Sequence, residues 1–190
     1  MEIRQPQKIV ASNGESFNFF TKQGWGGLNA SSTVKITLPI PYVIISHTAG
    51  GTCYEKKTCM EYLRNIQKDQ MSRTPAYADI AYNFLVGGDG NIYEGRGWTN
   101  RSPIDGFANN KNIDINFIGD FSVDRDPTKP QIEAVKALIE YGLNNSFIAE
   151  NYSLIATNST GSTLSLGRNV YKIIKTWPHF DPEPEKHLLE

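Results

Sequence analysis

Apolar residues along this chain of 190 change spacing in a fixed succession, and that succession outlines a fold. Tyr42-Val43-Ile44-Ile45 is a short apolar and β-branched run, the pattern of a buried strand. It ends in a polar corner, Ser46-His47-Thr48, which Gly50-Gly51 releases. From 58 to 70 the period lengthens. Cys59, Tyr62, Leu63 and Ile66 recur at helical spacing, and Thr58 with Glu61 supplies a capping box. Pro75 stops this helix, because proline pushes the residue before it out of the α region. Strands over 82–86 and 91–94 flank Asp89-Gly90, a hairpin signal. Residues 99–112 are polar and irregular, long enough for a functional surface loop. Ile113, Ile115 and Phe117 then alternate with Asp114 and Asn116 as a half-buried strand. Thr128 with Gln131 makes a second capping box, and Ile132, Val135, Leu138, Ile139 and Leu143 line one face of a long helix. A strand over 152–156, a polar segment (TNSTGSTLSLG) and a helix over 168–176 burying Val170, Ile173 and Ile174 complete the pattern before Pro178. Residues 1–40 show little period. They read as an irregular arm anchored by Trp25, with room for short strands near Phe19 or Val34. The expectation is one α/β domain over 41–180, with an N-terminal arm over 1–40 packed on it and a tail over 181–190.

Composition narrows the function classes. A net charge of −1 gives no electrostatic reason to expect nucleic acid or an anionic membrane surface. No apolar run approaches the roughly 20 residues that cross a bilayer, and MEIRQPQKIV lacks the apolar stretch of a signal peptide. Any targeting or membrane segment is therefore expected outside this sequence, and Leu189-Glu190 reads as a cloning remnant. Cys53 and Cys59, in CYEKKTC, are either two free surface thiols or a disulfide closing a small loop, worth about 2 kcal/mol. Five glycosylation sequons, at Asn29, Asn100, Asn144, Asn151 and Asn158, favour the disulfide and an oxidising, extracellular compartment. The glycines of Gly95-Arg96-Gly97-Trp98 are turn chemistry, since no G-x-G-x-x-G precedes a helix here. His47 is the open question. A histidine at the end of a buried strand faces the cleft at that sheet edge, or it is a structural histidine, and its partners decide which.

Five segments in unbroken order between Trp25 and Phe180 carry a resemblance: ISHTAG, C-x5-C, DIAYNFLVGGDGNIYEGRGW, FIGDF and IKTWPHF. Together they resemble the peptidoglycan recognition proteins of animals, in the insect style. The resemblance implies the fold of the zinc-dependent N-acetylmuramoyl-L-alanine amidases, a central mixed β-sheet flanked by helices with a muropeptide groove on one face. It also implies the disulfide between Cys53 and Cys59. Amidase members of that family hold zinc with two histidines and a cysteine and place a tyrosine beside the metal. His47 matches the first histidine and Tyr82 the tyrosine. Thr157 stands at the second histidine's position, Ser165 at the cysteine's, and Thr163 at that of a polar catalytic partner. A catalytic zinc needs three protein ligands, and neutral hydroxyls are poor ones. His179 and His187 fall beyond the last helix. The expectation is no metal, no cofactor and no hydrolysis. A glycan on Asn158 would obstruct the same site.

Other departures concern the groove. SRTPAYADIAYNF is longer than the family's SRGWxDIxYNF, which places Pro75 and Tyr77 where they fill or narrow the groove, unless the difference is a harmless loop variation. The loop over 101–110 departs from AHxxGYN, with Ile104 where a histidine is expected, and Asp114 replaces a small residue. The resemblance thus implies a non-catalytic receptor ectodomain of innate immunity that senses peptidoglycan fragments. It would act as a co-receptor, sharing the muropeptide with a second recognition domain. His47, Tyr82, Pro75, Tyr77, Trp98, Arg101 and Asn109 are the expected ligand or partner contacts. The alternatives are a zinc amidase with unconventional ligands such as Asp105 or Asp114, and a ligand-independent decoy that silences a signalling receptor.

Overall fold

The apolar run around Ile44 becomes the spine of the molecule. The computed structural model describes residues 5–103, 111–122, 124–156 and 167–184. Its strands are β1 (Gln7–Val10), β2 (Ser16–Phe20), β3 (Ile40–His47), β4 (Phe84–Val86), β5 (Ile92–Glu94), β6 (Asn112–Phe117) and β7 (Ile148–Ala156). They form one mixed sheet in the order β1-β2-β5-β4-β6-β3-β7. β3 runs parallel to both neighbours, with Ile45 opposite Ile115 on one side and Ala156 on the other. β4 and β5 pair antiparallel as the hairpin expected around Asp89-Gly90. The helices are α1 (Lys22–Trp25), α2 (Lys56–Ser72), α3 (Lys129–Asn144) and α4 (Arg168–Ile174).

Apolar burial divides between two clusters. Val43, Ile45, Ile113, Ile115 and Phe117 pack with Val135 and Leu138 of α3 and with Val170 and Ile174 of α4. Phe20, Trp25, Leu85 and Tyr93 pack with Cys59, Met60 and Leu63 of α2. Removal of this surface from water is the main driving force for the arrangement.

Four details differ from the sequence reading. The arm holds the short strand allowed near Phe19 and a second one not expected: β1 and β2 pair antiparallel, and β2 pairs parallel with β5, so the arm widens the sheet. Trp25 is its anchor, 1% exposed. Helix α2 begins at Lys56, its N-cap is Glu55, and Thr58 Oγ1 donates to the Glu55 carbonyl at 2.9 Å rather than capping. The second capping box is half made. Thr128 Oγ1 accepts from the Gln131 amide at 3.2 Å, but the Gln131 side chain donates to the carbonyls of Val86 and Ile118. Finally, β6 is buried along its whole length, because it lies between β4 and β3 in the middle of the sheet. Asp114 and Asn116 are therefore interior residues.

Candidate functional site

Parallel strands β4, β6, β3 and β7 end at a common sheet edge, where open α/β sheets place ligands. His47 closes β3 there and is 4% exposed. Its Nδ1 accepts the Phe121 amide at 3.2 Å, and the two rings lie 6.1 Å apart. The turn that delivers this amide depends on Gly119. Its φ is +147°, and a Cβ there would come within 2.6 Å of the Phe121 ring. Thr48 Oγ1 braces the same turn, accepting from the Gly119 amide at 2.9 Å, and the Tyr62 hydroxyl donates to it at 3.2 Å. Asp120 lies beside the histidine. Hydrogen bonds from Ser122 hold its carboxyl below the ordinary value, with smaller help from the charge of Arg125.

Tyr82 precedes β4 and belongs to a different set of contacts. Burial pushes its hydroxyl well above the ordinary phenol value, the negative charge of Asp114 adds to this, and a hydrogen bond with Gln70 acts the other way. Asp114 is fully buried. Its Oδ1 accepts from Ser46 Oγ at 2.7 Å, and its amide donates to Asn83 Oδ1 at 3.0 Å. Ser46 Oγ in turn accepts from Asn116 Nδ2 at 2.8 Å. Ser46 of β3 thus bonds both polar residues that interrupt the apolar pattern of β6, and among the described residues Asn116 Oδ1 has no hydrogen-bond partner.

The insertion after α2 forms one wall of a separate pocket. Pro75 and Tyr77 are exposed, and the Tyr77 amide donates to the Gln70 carbonyl at 3.0 Å, folding the segment back on the helix end. Tyr77 and Arg101 line this pocket of about 320 Å³ together with Arg96. The sequence places Arg96 in a turn. It is 8% exposed and donates through Nε to the Ile80 carbonyl at 2.7 Å and through Nη1 to the Arg101 carbonyl at 2.9 Å. The sequence signal that pointed to it was a lone cation held between two glycines directly after a strand.

Trp98, expected as a contact residue, is half-buried. Its ring stacks on Phe147 at 5.0 Å and leans on Phe84 at 4.5 Å, packed against the α3-side core rather than beside Tyr77. The physical reason is Gly142 of α3, whose missing side chain leaves the space the indole fills. Asn100, the second sequon asparagine, is half-buried. Its Nδ2 donates to the Arg96 carbonyl at 3.0 Å, and its Oδ1 accepts from Lys35 Nζ. Asn29, Asn144 and Asn151 are exposed. Cys53 and Cys59 are joined as a disulfide. His179 stacks on Tyr152 at 4.4 Å. Ile104, Asp105, Asn109, Thr157, Asn158, Thr163, Ser165 and His187 lie outside the described residues. A larger cavity of about 540 Å³ opens between α3 and residues 176–178, and no residue expected to bind lines it.

A neutral imidazole that accepts a hydrogen bond at Nδ1 carries its proton on Nε2, and so offers no lone pair to a metal. Both cysteines are consumed by the disulfide. Among the described residues no three His, Cys, Asp or Glu side chains gather as a metal site.

Comparison with known proteins completes the description. The N-acetylmuramoyl-L-alanine amidase family model matches residues 37–172. Peptidoglycan recognition protein 1 of Rattus norvegicus is 39% identical over 157 residues, covering 82% of this chain and 85% of the relative. Peptidoglycan-recognition protein SC2 of Drosophila melanogaster is 38% identical over 160 residues, covering 84% and 86%. Among solved structures, the ectodomain complex of peptidoglycan recognition proteins LCa and LCx with tracheal cytotoxin bound matches with a TM-score of 0.83 at 37% identity. That match covers 87% of this chain and 99% of the other.

Proposed function

Because the chain belongs to the peptidoglycan recognition proteins of the N-acetylmuramoyl-L-alanine amidase family, we propose that it is a non-catalytic recognition ectodomain for bacterial peptidoglycan fragments in innate immunity. In this reading it acts as a co-receptor, holding a muropeptide jointly with a second recognition domain. The observation that carries the non-catalytic reading is the bonding of His47. The Phe121 amide occupies Nδ1, which leaves an N–H where a metal ligand needs a lone pair. The residues at the two other family positions, Thr157 and Ser165, are hydroxyls by sequence. One neutral ligand binds zinc too weakly to activate a water. His47 and Tyr82 then serve as hydrogen-bonding and packing groups of a groove.

The co-receptor reading draws on the exposed Pro75 and Tyr77, which this chain adds beside the arginine pocket. It draws also on the LCa–LCx complex, in which two ectodomains assemble with tracheal cytotoxin. No helix among the described residues is long and apolar enough to cross a membrane, and the ectodomain reading places any anchor in another part of the protein.

Purified protein incubated with zinc and monomeric muropeptide is expected to show no substoichiometric-enzyme turnover and no retained metal. Calorimetry is expected to show muropeptide heat only when a second recognition domain is added. Stoichiometric zinc with cleavage would return the chain to the amidases. Tight muropeptide binding by this domain alone would remove the co-receptor reading.

A further inference from the structure

A pocket on the α3 side of the sheet combines rings and charge in a way the fold does not require. It encloses about 220 Å³ between the arm and α3, and Phe19, Glu94, Trp98, Tyr141 and Phe147 are among its walls. All four rings are half-buried, so each keeps some surface accessible. They are held as a frame: Trp98 stacks on Phe147 at 5.0 Å, and Tyr141 lies 6.4 Å from each of them. Among the described residues, Glu94 is the one carboxylate in this lining. Its Oε2 accepts the Lys22 amide at 3.0 Å, at the start of α1. Its Oε1 lies toward Gly97, where a Cβ would meet it at 3.0 Å, and it takes part in no hydrogen bond or ion pair among the described residues. Lys8 also borders the cavity but does not neutralise it. It pairs with Asn18 on the other face of the sheet from Phe19, and its ammonium donates to Asn18 Oδ1 at 2.6 Å. A carboxylate with no counter-ion therefore shares a small cavity with four aromatic rings.

We propose that this pocket binds a quaternary ammonium head group of the choline type. Ring faces attract a cation through their negative quadrupole, and a partly desolvated carboxylate adds a direct charge. Hydrogen bonding selects among cations. A primary ammonium or a guanidinium carries several donors, each of which needs an acceptor once it leaves water. Glu94 Oε1 is one such acceptor, whereas Thr21 Oγ1 is already occupied by the Gly24 amide at 3.2 Å. A trimethylammonium group has no donor to satisfy, and it presents methyl groups to the rings. A cavity of about 220 Å³ suits so compact a head and not a saccharide-peptide chain. The site is also remote from His47. Because β5 runs antiparallel to β4, and β4 runs parallel to β6 and β3, Glu94 lies at the opposite edge of the sheet. The proposal therefore goes beyond the muropeptide reading and does not depend on it. Free choline and the head group of a phosphatidylcholine surface share the chemistry.

The test follows the indole Nε1–H resonance of Trp98 in nitrogen-labelled whole protein, assigned by its loss in Trp98→Phe, during titration with choline chloride. The controls are sodium chloride at matched ionic strength and the neutral alcohol in which carbon replaces the choline nitrogen. A saturable shift is expected with choline and with neither control. Glu94→Gln is expected to weaken binding about tenfold. Tyr141→Leu removes a ring without touching the start of α1, so it serves even where the Glu94 variant fails to fold, and it is expected to weaken binding by a similar factor. No shift with choline overturns the proposal. An equal shift with the alcohol also overturns it, because the cavity would then be apolar and indifferent to charge. Unchanged choline affinity in Tyr141→Leu does the same. Co-sedimentation with phosphatidylcholine vesicles, against phosphatidylglycerol vesicles, assigns the source. Pelleting with the first alone makes a surface head group the ligand, and choline binding without pelleting makes it the free small molecule.

Discussion

Tyr82 and Tyr93 report directly on how the interior treats charge. Both hydroxyls are pushed well above the ordinary phenol value, first by burial and then by a nearby carboxylate, Asp114 for Tyr82 and Asp89 for Tyr93. Above about pH 10 the unfolded chain loses these protons, while the folded chain keeps them. The unfolded state then binds fewer protons, so stability falls as pH rises. The contribution is whole below the unfolded value and is lost progressively toward the higher folded value. Urea denaturation at a series of pH values is expected to show a loss of about 1.4 kcal/mol per pH unit for each such group. Tyr82→Phe should remove one group's share of that slope. An unchanged slope in the variant would mean that Tyr82 ionises as freely in the fold as in the open chain. The same logic explains why Asp114 is tolerated inside β6: Ser46 supplies its acceptor with a donor and Asn83 meets its amide, so a residue of the wrong polarity is paired rather than exposed.

Single elements show which signals in the chain were readable and why. The β4–β5 hairpin was legible because all its information is local, in Asp89-Gly90 and the flanking strands. Asn13-Gly14 is the same kind of signal for β1–β2, with Gly14 at φ +85°. It predicts less, because β2 contains few alternating residues and its partner β5 lies far along the chain. His47 was legible as the end of a buried strand, whereas its bond to the Phe121 amide was not, since that depends on a turn built by Gly119. The arginine pocket was invisible for a similar reason. Three segments that are remote in sequence, near 32–34, 76–78 and 101–103, close it. The start of α2 shifted because the Cys53–Cys59 bridge ties its first turn to the loop after β3. Replacing both cysteines by serine is expected to lower stability by about 2 kcal/mol. Hydrogen exchange should become faster over residues 56–60, with β3 unaffected. Equal exchange in the two proteins would show that helix packing alone holds that turn.

At the scale of the whole molecule, the arm joins the edge of the sheet to the pocket lined by Arg96 and Arg101. The family match begins at residue 37, yet β2 supplies β5 with its parallel partner, and Phe20 stacks on Tyr93 at 5.5 Å. Trp25 donates through Nε1 to the Glu94 carbonyl at 2.7 Å, and its own carbonyl accepts from Arg64 at 2.8 Å. Lys22 pairs with the buried Asp79, whose carbonyl accepts from Arg96. Removing the arm would therefore open an unpaired strand edge, expose two stacked rings and strand a buried carboxylate beside the arginines. Each of these destabilises by itself, and an open apolar edge also invites association between chains. A chain starting at residue 37 is accordingly expected to lose monomeric, cooperatively unfolding protein in size-exclusion chromatography and denaturation. The single change Trp25→Ala should cost about 3–5 kcal/mol while preserving the fold. A monodisperse truncated chain with the denaturation midpoint of the intact one would mean that the arm merely lies on a sheet already complete without it.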